Sequence, residues 1–349
     1  MSTQAAIIPR RIGVIGGWGH IDAVLTDFDR LPQSCQVVGL APVLADERVD
    51  EIKARHHCTQ QARLFSDHRR MLDETNPDVV VIGTRLDRIA PLAMETARRG
   101  IHLICEKPLA LEQSALRQLY DIITSQGVQC VAMLNNRTHP VLAAVCRLID
   151  RGTIGRVVLV NARKSYRFDI RPPWFGQRPI YGGTIPWIGI HALDFIHAVT
   201  SARFTSVAAM QSNFAHPSHP DCEDNCTLML ELADGSHASA SIDFLRPAAA
   251  PTHGDDWLRV MGAKGAIEAN FETRTCTLIT EDQAPQPVPA AAEVNCFGNW
   301  LRQLPCRGAA PMSETRRSFL LTHVALVARD AADQRRLLSI EPQPWDVLP

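Results

Sequence analysis

Residues 11–20 read RIGVIGGWGH, in which a short apolar run leads directly into a cluster of glycines. This pattern is typical of a buried strand that turns sharply into a helix. Glycines at such a turn let the backbone approach a pyrophosphate and leave helix N–H groups pointing at it. The stretch therefore predicts a dinucleotide-binding turn formed by Gly16, Gly17, Trp18 and Gly19.

The glycine spacing departs from the G-x-G-x-x-G pattern. Counted from Gly16, the second glycine of the pattern would fall on Trp18 and the third on Ile21. Because glycine clusters also form plain tight turns, the surrounding strands and helices are what favour a cofactor site. The second strand ends at residues 39–42 without the carboxylate that would bind the ribose 2′-hydroxyl of NAD or the arginine that would bind the 2′-phosphate of NADP. The cofactor is therefore predicted only as NAD or NADP.

Hydrophobic patterning divides the chain into two parts. Through about residue 134, short apolar runs alternate with helix-length segments, which indicates a parallel, doubly wound sheet. Beyond about residue 152, runs of alternating polarity are separated by turn pairs, as in an antiparallel sheet with one open face. We predict an α/β protein, with a Rossmann domain at residues 1–130 and a C-terminal α/β domain with an open, mainly antiparallel sheet at residues 131–349. The Pro- and Ala-rich residues 284–292 are predicted to form a loop.

Length and charge limit the functions that fit. The chain has 349 residues, enough for two domains, and 36 Lys and Arg against 37 Asp and Glu give a formal net charge of -1. No basic block supports binding to nucleic acid or to an anionic membrane. Arg10 and Arg11 interrupt the N-terminal apolar stretch that a signal peptide would need. We therefore expect a cytoplasmic protein with mostly reduced cysteines.

The segment Cys105-Glu106-Lys107-Pro108 ends the fifth predicted strand, where parallel sheets bind ligands. Downstream of a glycine-rich turn, it resembles the signature of the glucose-fructose oxidoreductase, inositol dehydrogenase and rhizopine catabolism protein family (Gfo/Idh/MocA). The resemblance extends over nearly the whole chain, through LNNRTHP (134–140), GTIGRV (152–157), YGG (181–183), IGIHALD (188–194), ED (223–224) and a C-terminal helix after residue 311.

The resemblance implies hydride transfer between NAD or NADP and a sugar, polyol or sugar-derived substrate. It also implies a homodimer or homotetramer assembled through the C-terminal sheet. Lys107 would contact the nicotinamide side and the reacting hydroxyl, and His191 would transfer the proton. Besides the glycine-rich turn, we expect cofactor contacts from Thr84, Glu106, Lys107 and Asn135, and substrate contacts from Tyr181, Trp187 and Asp194.

The chemistry of an alcohol dehydrogenase suits this pair of residues. Hydride removal from a secondary alcohol requires loss of the hydroxyl proton, which a histidine near neutral pKa can accept. An ammonium group such as that of Lys107 stabilises the developing negative charge. Asp194 follows His191 by three residues on one helix face and would orient the imidazole. The alternatives are a core histidine and an aspartate that serves as a cap or salt-bridge partner.

Two positions depart from the family pattern. The acid that opens the family's D-x-G-x-H helix is replaced by Trp187, which offers an apolar face and one N–H donor. With Tyr181 it would form a wall that stacks on a sugar or aromatic substrate, or it would simply pack in the core. The family's T-P-N after the fourth strand is Thr84-Arg85-Leu86, so that Arg85 would meet a cofactor phosphate or an acidic substrate, or stay solvated.

Two other functions are compatible with these residues. An NAD-assisted glycosidase of the same family would oxidise and re-reduce its sugar during bond cleavage, and a non-catalytic member would only bind dinucleotide.

The segment HPSHPDCEDNC (216–226) has spacings that a zinc site could use. Its prolines stiffen the loop, however, and Glu223-Asp224 already match the family pattern. We predict no metal.

Overall fold

The computed structural model describes residues 9–305 and 308–346, which form two compact units. The first unit takes the described residues up to Asn135 together with Asn295–Ser318. The second unit takes Asn136–Val294 and the described residues from Phe319 onward.

The first unit contains a six-stranded sheet in the order β3-β2-β1-β4-β5-β6, with every neighbouring pair parallel. Its strands are buried on both faces, as in the VVVI run of Val79–Ile82. The order reverses between β1 and β4, which is where such sheets bind ligands. The elements are β1 (Arg10–Ile15), α1 (Ile21–Asp29), β2 (Cys35–Ala41), α2 (Val49–Arg55), β3 (Arg63–Leu64), α3 (His68–Thr75), β4 (Val79–Ile82), α4 (Leu86–Arg98), β5 (His102–Cys105), α5 (Gln113–Gln126) and β6 (Cys130–Ala132).

The second unit contains a nine-stranded sheet in the order β14-β13-β12-β11-β7-β10-β9-β8-β15. Its strands alternate buried and exposed residues, most clearly in β9, so one face is covered and the other is open. The elements are α6 (Pro140–Asp150), β7 (Val157–Ser165), α7 (Arg178–Tyr181), α8 (Ile190–Thr200), β8 (Phe204–Ser212), β9 (Asn225–Leu232), β10 (His237–Asp243), β11 (Trp257–Gly262), β12 (Gly265–Asn270), β13 (Thr275–Thr280), β14 (Gln283–Pro287) and β15 (Leu338–Ser339).

Both sheets confirm the predicted fold class, a parallel doubly wound sheet followed by an open and mainly antiparallel one. One pair in the second sheet, β7 with β10, is parallel. The prediction of a loop at residues 284–292 was wrong in part, because β14 pairs with β13. All five residues of β14 are exposed and the strand lies at the sheet edge, where proline is tolerated because one side of the strand needs no N–H donors.

The chain returns to the first unit after β14, through α9 (Cys296–Gln303) and the start of α10 (Ser313–Gln334). Phe297, Trp300 and Leu301 are buried in the hydrophobic core around β1 and β2. The Asn295 side chain accepts a hydrogen bond from the Gly298 N–H at 2.7 Å and so caps α9. The predicted division at residue 130 did not include this return, which depends on burial of aromatic side chains far along the chain.

None of the helices in the described part of the chain is long and apolar enough to cross a membrane. The predicted absence of a signal peptide is not tested by the structure, and residues 1–8 lie outside the described residues. The cytoplasmic location therefore stays a prediction.

Candidate active site

The glycine-rich turn of the first unit joins β1 to α1 and is held by the ends of two neighbouring strands. The Gly16 N–H donates to the Ala41 carbonyl at 2.8 Å, and the Trp18 N–H donates to the Gly83 carbonyl at 3.0 Å. Gly16 has φ of 90° and Gly19 has φ of 83°, a left-handed conformation that favours glycine. Glycine is therefore needed at both positions, although the spacing is not G-x-G-x-x-G.

The turn contacts the E-K-P segment, which lies almost 90 residues later in the sequence. Glu106 accepts the backbone N–H of His20 at 2.6 Å and interacts with its Nδ1 at 2.9 and 3.0 Å. The same carboxylate accepts the N–H of Lys107 at 2.8 Å. A Cβ at Gly19 would overlap this carboxylate. Two predicted motifs are thus in direct contact, through a histidine that was not predicted as a site residue.

Glu106 is 0 % exposed and Lys107 is 1 % exposed. Burial alone raises the pKa of Glu106, but the attraction of His20 and Lys107 and their hydrogen bonds outweigh it, so its pKa is lowered. Glu106 is therefore an anion at neutral pH. The peptide bond between Lys107 and Pro108 is cis.

Glu47 lies beside the turn in the loop after β2. Its carboxylate accepts the Val43 N–H at 2.6 Å and the Leu44 N–H at 3.0 Å, and it accepts the hydroxyl of the buried Thr84. A Cβ at Gly17 would lie 3.2 Å from the Cβ of Glu47. Glu47 was not predicted, because a ribose-binding acid is expected at the last residues of the second strand, and Glu47 comes six residues after β2 ends at Ala41.

The structure also shows the surroundings of two other predicted residues of this unit, Arg85 and Asn135. Arg85 forms an ion pair with Asp87 at 2.7 Å, which raises the pKa of Arg85 through that hydrogen bond. This pair favours a structural role for Arg85 over a phosphate contact. Asn135 begins a short 3-10 turn, Asn135–Thr138, which β6 precedes by two residues.

The second unit carries the predicted proton-transfer residue near the start of α8. A π-helical turn, Ile185–Gly189, precedes the helix, and turns of this kind are frequent at functional sites. Trp187 is 5 % exposed, His191 2 % and Asp194 0 %. A Cβ at Gly189 would lie 2.9 Å from Ile242 on β10, so glycine is what lets the helix start approach the sheet closely.

Asp194 forms an ion pair with Arg137 of the LNNRTHP segment. The Arg137 Nη1 donates to the carboxylate and to the backbone carbonyl of Asp194, both at 3.1 Å. The salt-bridge interpretation of Asp194 therefore has direct support. That Asp194 also orients His191 or contacts substrate stays a prediction.

Trp187 belongs to a cluster of aromatic rings. Its ring meets Phe175 edge-on at 6.0 Å, and Phe175 lies 4.5 Å from Tyr181. Tyr181 is 0 % exposed, and its hydroxyl interacts with that of Thr184 at 3.1 Å. Burial raises the pKa of Tyr181 well above its usual value. These contacts favour core packing over substrate binding for Tyr181.

Glu223 of the predicted acid pair anchors this cluster. Its carboxylate accepts the Thr184 N–H at 2.8 Å and forms an ion pair with Arg178, and its backbone carbonyl accepts the Thr184 hydroxyl at 2.7 Å.

The nearby histidines of the segment 216–226 interact with backbone carbonyls, His216 at 3.0 Å and His219 at 3.3 Å. In the described part of the chain no three side chains are grouped as metal ligands.

Comparison with known proteins gives a family match in each unit. Residues 10–134 match the model of an oxidoreductase family with an NAD-binding Rossmann fold, and residues 142–268 match the GFO/IDH/MocA C-terminal domain. A levoglucosan dehydrogenase of Pseudarthrobacter phenanthrenivorans is 27 % identical over 60 % of this chain, which spans 59 % of that relative's length. A myo-inositol 2-dehydrogenase of Thermotoga maritima is 23 % identical over 78 % of this chain and 79 % of its own.

Solved structures share the fold. A Thermotoga maritima protein described only as an oxidoreductase has a TM-score of 0.86 and 32 % identity, with coverage of 95 % of this chain and 100 % of that one. A levoglucosan dehydrogenase in complex with NADH has a TM-score of 0.80 and 18 % identity, over 96 % of this chain and 100 % of the other. At that identity the second match shows the fold alone.

Replacement of Gly19 by alanine tests the packing of the turn against Glu106. We expect Gly19→Ala to destabilise the protein more than Gly152→Ala, measured as the free energy of unfolding in urea. Gly152 also has a positive φ, of 71°, but a Cβ there would meet nothing within 4 Å. The control should lose about 1 to 2 kcal/mol from backbone strain alone. Equal losses in the two variants would contradict the contact.

Proposed function

We propose that this chain, which belongs to the Gfo/Idh/MocA family of NAD-binding oxidoreductases, transfers a hydride between a nicotinamide dinucleotide and a hydroxyl-bearing carbon of a sugar or polyol. The observation that carries the proposal is the direct contact between the buried E-K-P segment and the glycine-rich turn. This contact supports a position for Lys107 beside the proposed cofactor site. The names of relatives, dehydrogenases of levoglucosan and of myo-inositol, support the substrate class.

The residues of the turn fit a dinucleotide. Gly16 and Gly19 provide a left-handed backbone without side chains, and α1 begins directly after them, so its first N–H groups and dipole favour a diphosphate. When bound, the nicotinamide supplies or accepts the hydride. In the roles we propose, Lys107 holds the substrate oxygen, and His191 takes its proton during alcohol oxidation and returns it during reduction.

Steady-state kinetics with NAD tests these roles. We expect NADH formation with levoglucosan, myo-inositol or a related polyol, and we expect kcat to fall by about 10²- to 10⁴-fold in His191→Ala, since a positioned acid or base contributes that much. Lys107→Ala should cause a loss of similar size, and the exposed His57→Ala serves as the matched control.

Three results would contradict the proposal or the roles it assigns. NADH binding without turnover of any sugar or polyol would point to a non-catalytic member of the family. Cleavage of a glycoside without net NADH formation would point to the NAD-assisted glycosidase. Wild-type rates in both His191→Ala and Lys107→Ala would remove these residues from the mechanism.

We further propose NAD as the cofactor rather than NADP, because of Glu47. This carboxylate is fixed by two backbone N–H groups and by Thr84 beside Gly17, in the loop after the second strand of the sheet. In Rossmann domains a carboxylate from this region accepts a ribose hydroxyl, and its negative charge repels a 2′-phosphate.

Dinucleotide titrations test this choice. We expect the Kd for NADH to be at least about tenfold lower than that for NADPH, since one lost charged contact is commonly worth 1.4 kcal/mol or more. Glu47→Ser should narrow the ratio by weakening NADH binding. Asp46→Ser, which removes the exposed neighbouring acid, should leave it unchanged. Tighter binding of NADPH by the wild-type protein would overturn the choice.

We propose that the open face of the second sheet forms a homodimer contact. Met210 on β8 is 68 % exposed, Met229 on β9 59 % and Leu337 62 %. The three side chains line one surface depression. Exposed apolar groups that lie together in this way are typical of an interface.

Light scattering coupled to size-exclusion chromatography tests this contact. We expect a dimer or tetramer for the wild-type protein and a shift toward monomer in Met229→Glu, because the substitution buries a charge in an apolar interface. Ile170→Glu is the matched control, since Ile170 is 97 % exposed on the loop that follows β7. A wild-type monomer, or an unchanged mass in Met229→Glu, would contradict the proposal.

A further inference from the structure

We propose that His20 is a positioning residue for the reaction, which holds the Glu106 carboxylate and, through it, the backbone at Lys107. The inference depends on the proposed function, since only then does Lys107 contact the reacting hydroxyl. His20 itself lies at the end of the glycine-rich turn, immediately before α1 begins at Ile21.

The contact between His20 and Glu106 involves both oxygens of the carboxylate. Nδ1 of His20 lies 3.0 Å from Oε1 and 2.9 Å from Oε2. A carboxylate can only accept hydrogen bonds, so Nδ1 carries the proton in this contact. The backbone N–H of His20 also donates to Oε2, at 2.6 Å. Any residue except proline at position 20 could supply the backbone bond, but few could supply the bond from the side chain.

The same carboxylate also fixes the chain at the proposed reacting residue. Oε1 of Glu106, which Nδ1 of His20 contacts, accepts the N–H of Lys107 at 2.8 Å. The side chain of Glu106 therefore connects the start of α1 with the first backbone atom of Lys107. If the carboxylate rotates, both bonds from Nδ1 and the bond from Lys107 change together.

Burial makes the histidine hard to replace. Glu106 is 0 % exposed, whereas the side chain of His20 is 33 % exposed. A buried carboxylate that loses a donor is not compensated by bulk water, and it must reorient or take up a proton. Charge-assisted hydrogen bonds of this kind are about twice as strong as neutral ones. His20 is thus a partly exposed side chain that donates a hydrogen bond to the buried Glu106 carboxylate.

Four proteins test the inference at saturating NAD: wild type, His20→Ala, Glu106→Gln and the double variant. We expect kcat to fall by about tenfold to a hundredfold in His20→Ala, the range that small misplacements of reacting groups cost. If His20 acts through Glu106, the double variant is no slower than Glu106→Gln alone. Multiplied losses in the double variant, or wild-type kcat in His20→Ala, overturn the inference.

Conservative variants separate positioning from a structural role. Asn places a donor near the position of Nδ1 and Gln places one farther out, so we expect His20→Asn to recover kcat to within about threefold of wild type while His20→Gln stays slow. If His20→Ala does not fold, the comparison of His20→Asn with His20→Gln still tests the inference. His20→Asn as slow as His20→Gln overturns the inference. His57→Ala, a histidine of the same unit outside this contact, should keep wild-type kcat.

The inference and the proposed function fail in different ways. No turnover and no dinucleotide binding by the wild-type protein would refute the proposed function. The thermal unfolding midpoints of the same four proteins still measure the coupling between His20 and Glu106 in that case. Additive shifts of the midpoint in the double variant would show that the two side chains do not act together and would overturn the inference by itself.

Discussion

Parallel pairing within the first sheet is the constraint on which the candidate cofactor site depends. The register places Ile15 beside Ile82, and Ile82 beside Cys105, so three strands end at one level. The residues that follow, among them Gly16 and Glu106, must therefore share a small volume at one edge of the sheet. Side chains are excluded from part of this volume, and charged groups enter it only where hydrogen-bond donors are already present.

Carboxylates that are buried or half-buried organise both units. In the first unit, Glu106 and Glu47 each accept backbone N–H groups beside the glycine-rich turn. In the second unit, Asp194 on α8 pairs with Arg137 of the LNNRTHP segment, and Glu223 accepts the N–H of Thr184, which precedes the π-helical turn. Each carboxylate joins segments that are distant in sequence. Anions fixed in this way lose little freedom when a ligand binds, and such preorganisation is what a catalytic site requires.

The sequence allowed prediction of the fold class and of the segments that form the candidate site, because periodic burial and glycine-rich turns are local properties. It did not allow prediction of Glu47 or His20 as members of that site. Glu47 reaches the turn only because its loop folds back, and His20 has its partner almost ninety residues away. Tyr181 was expected to contact substrate, and the structure gives it an internal hydroxyl partner. The position of a residue in the sequence does not show which distant side chains it will contact or whether it will be buried.

The sequence by itself determined that the chain contains two α/β units, and it showed the resemblance from which Lys107 and His191 are proposed as reacting residues. Motifs and hydrophobic periodicity can be read without knowing any distance between residues. Tertiary structure decided that residues 295–318 complete the first unit and that proline-containing β14 closes one edge of the second sheet. It also decided which N–H groups donate hydrogen bonds to the Glu106 carboxylate. These features depend on long-range burial and on hydrogen bonds between distant segments, and both arise only when the folded chain excludes water from its interior.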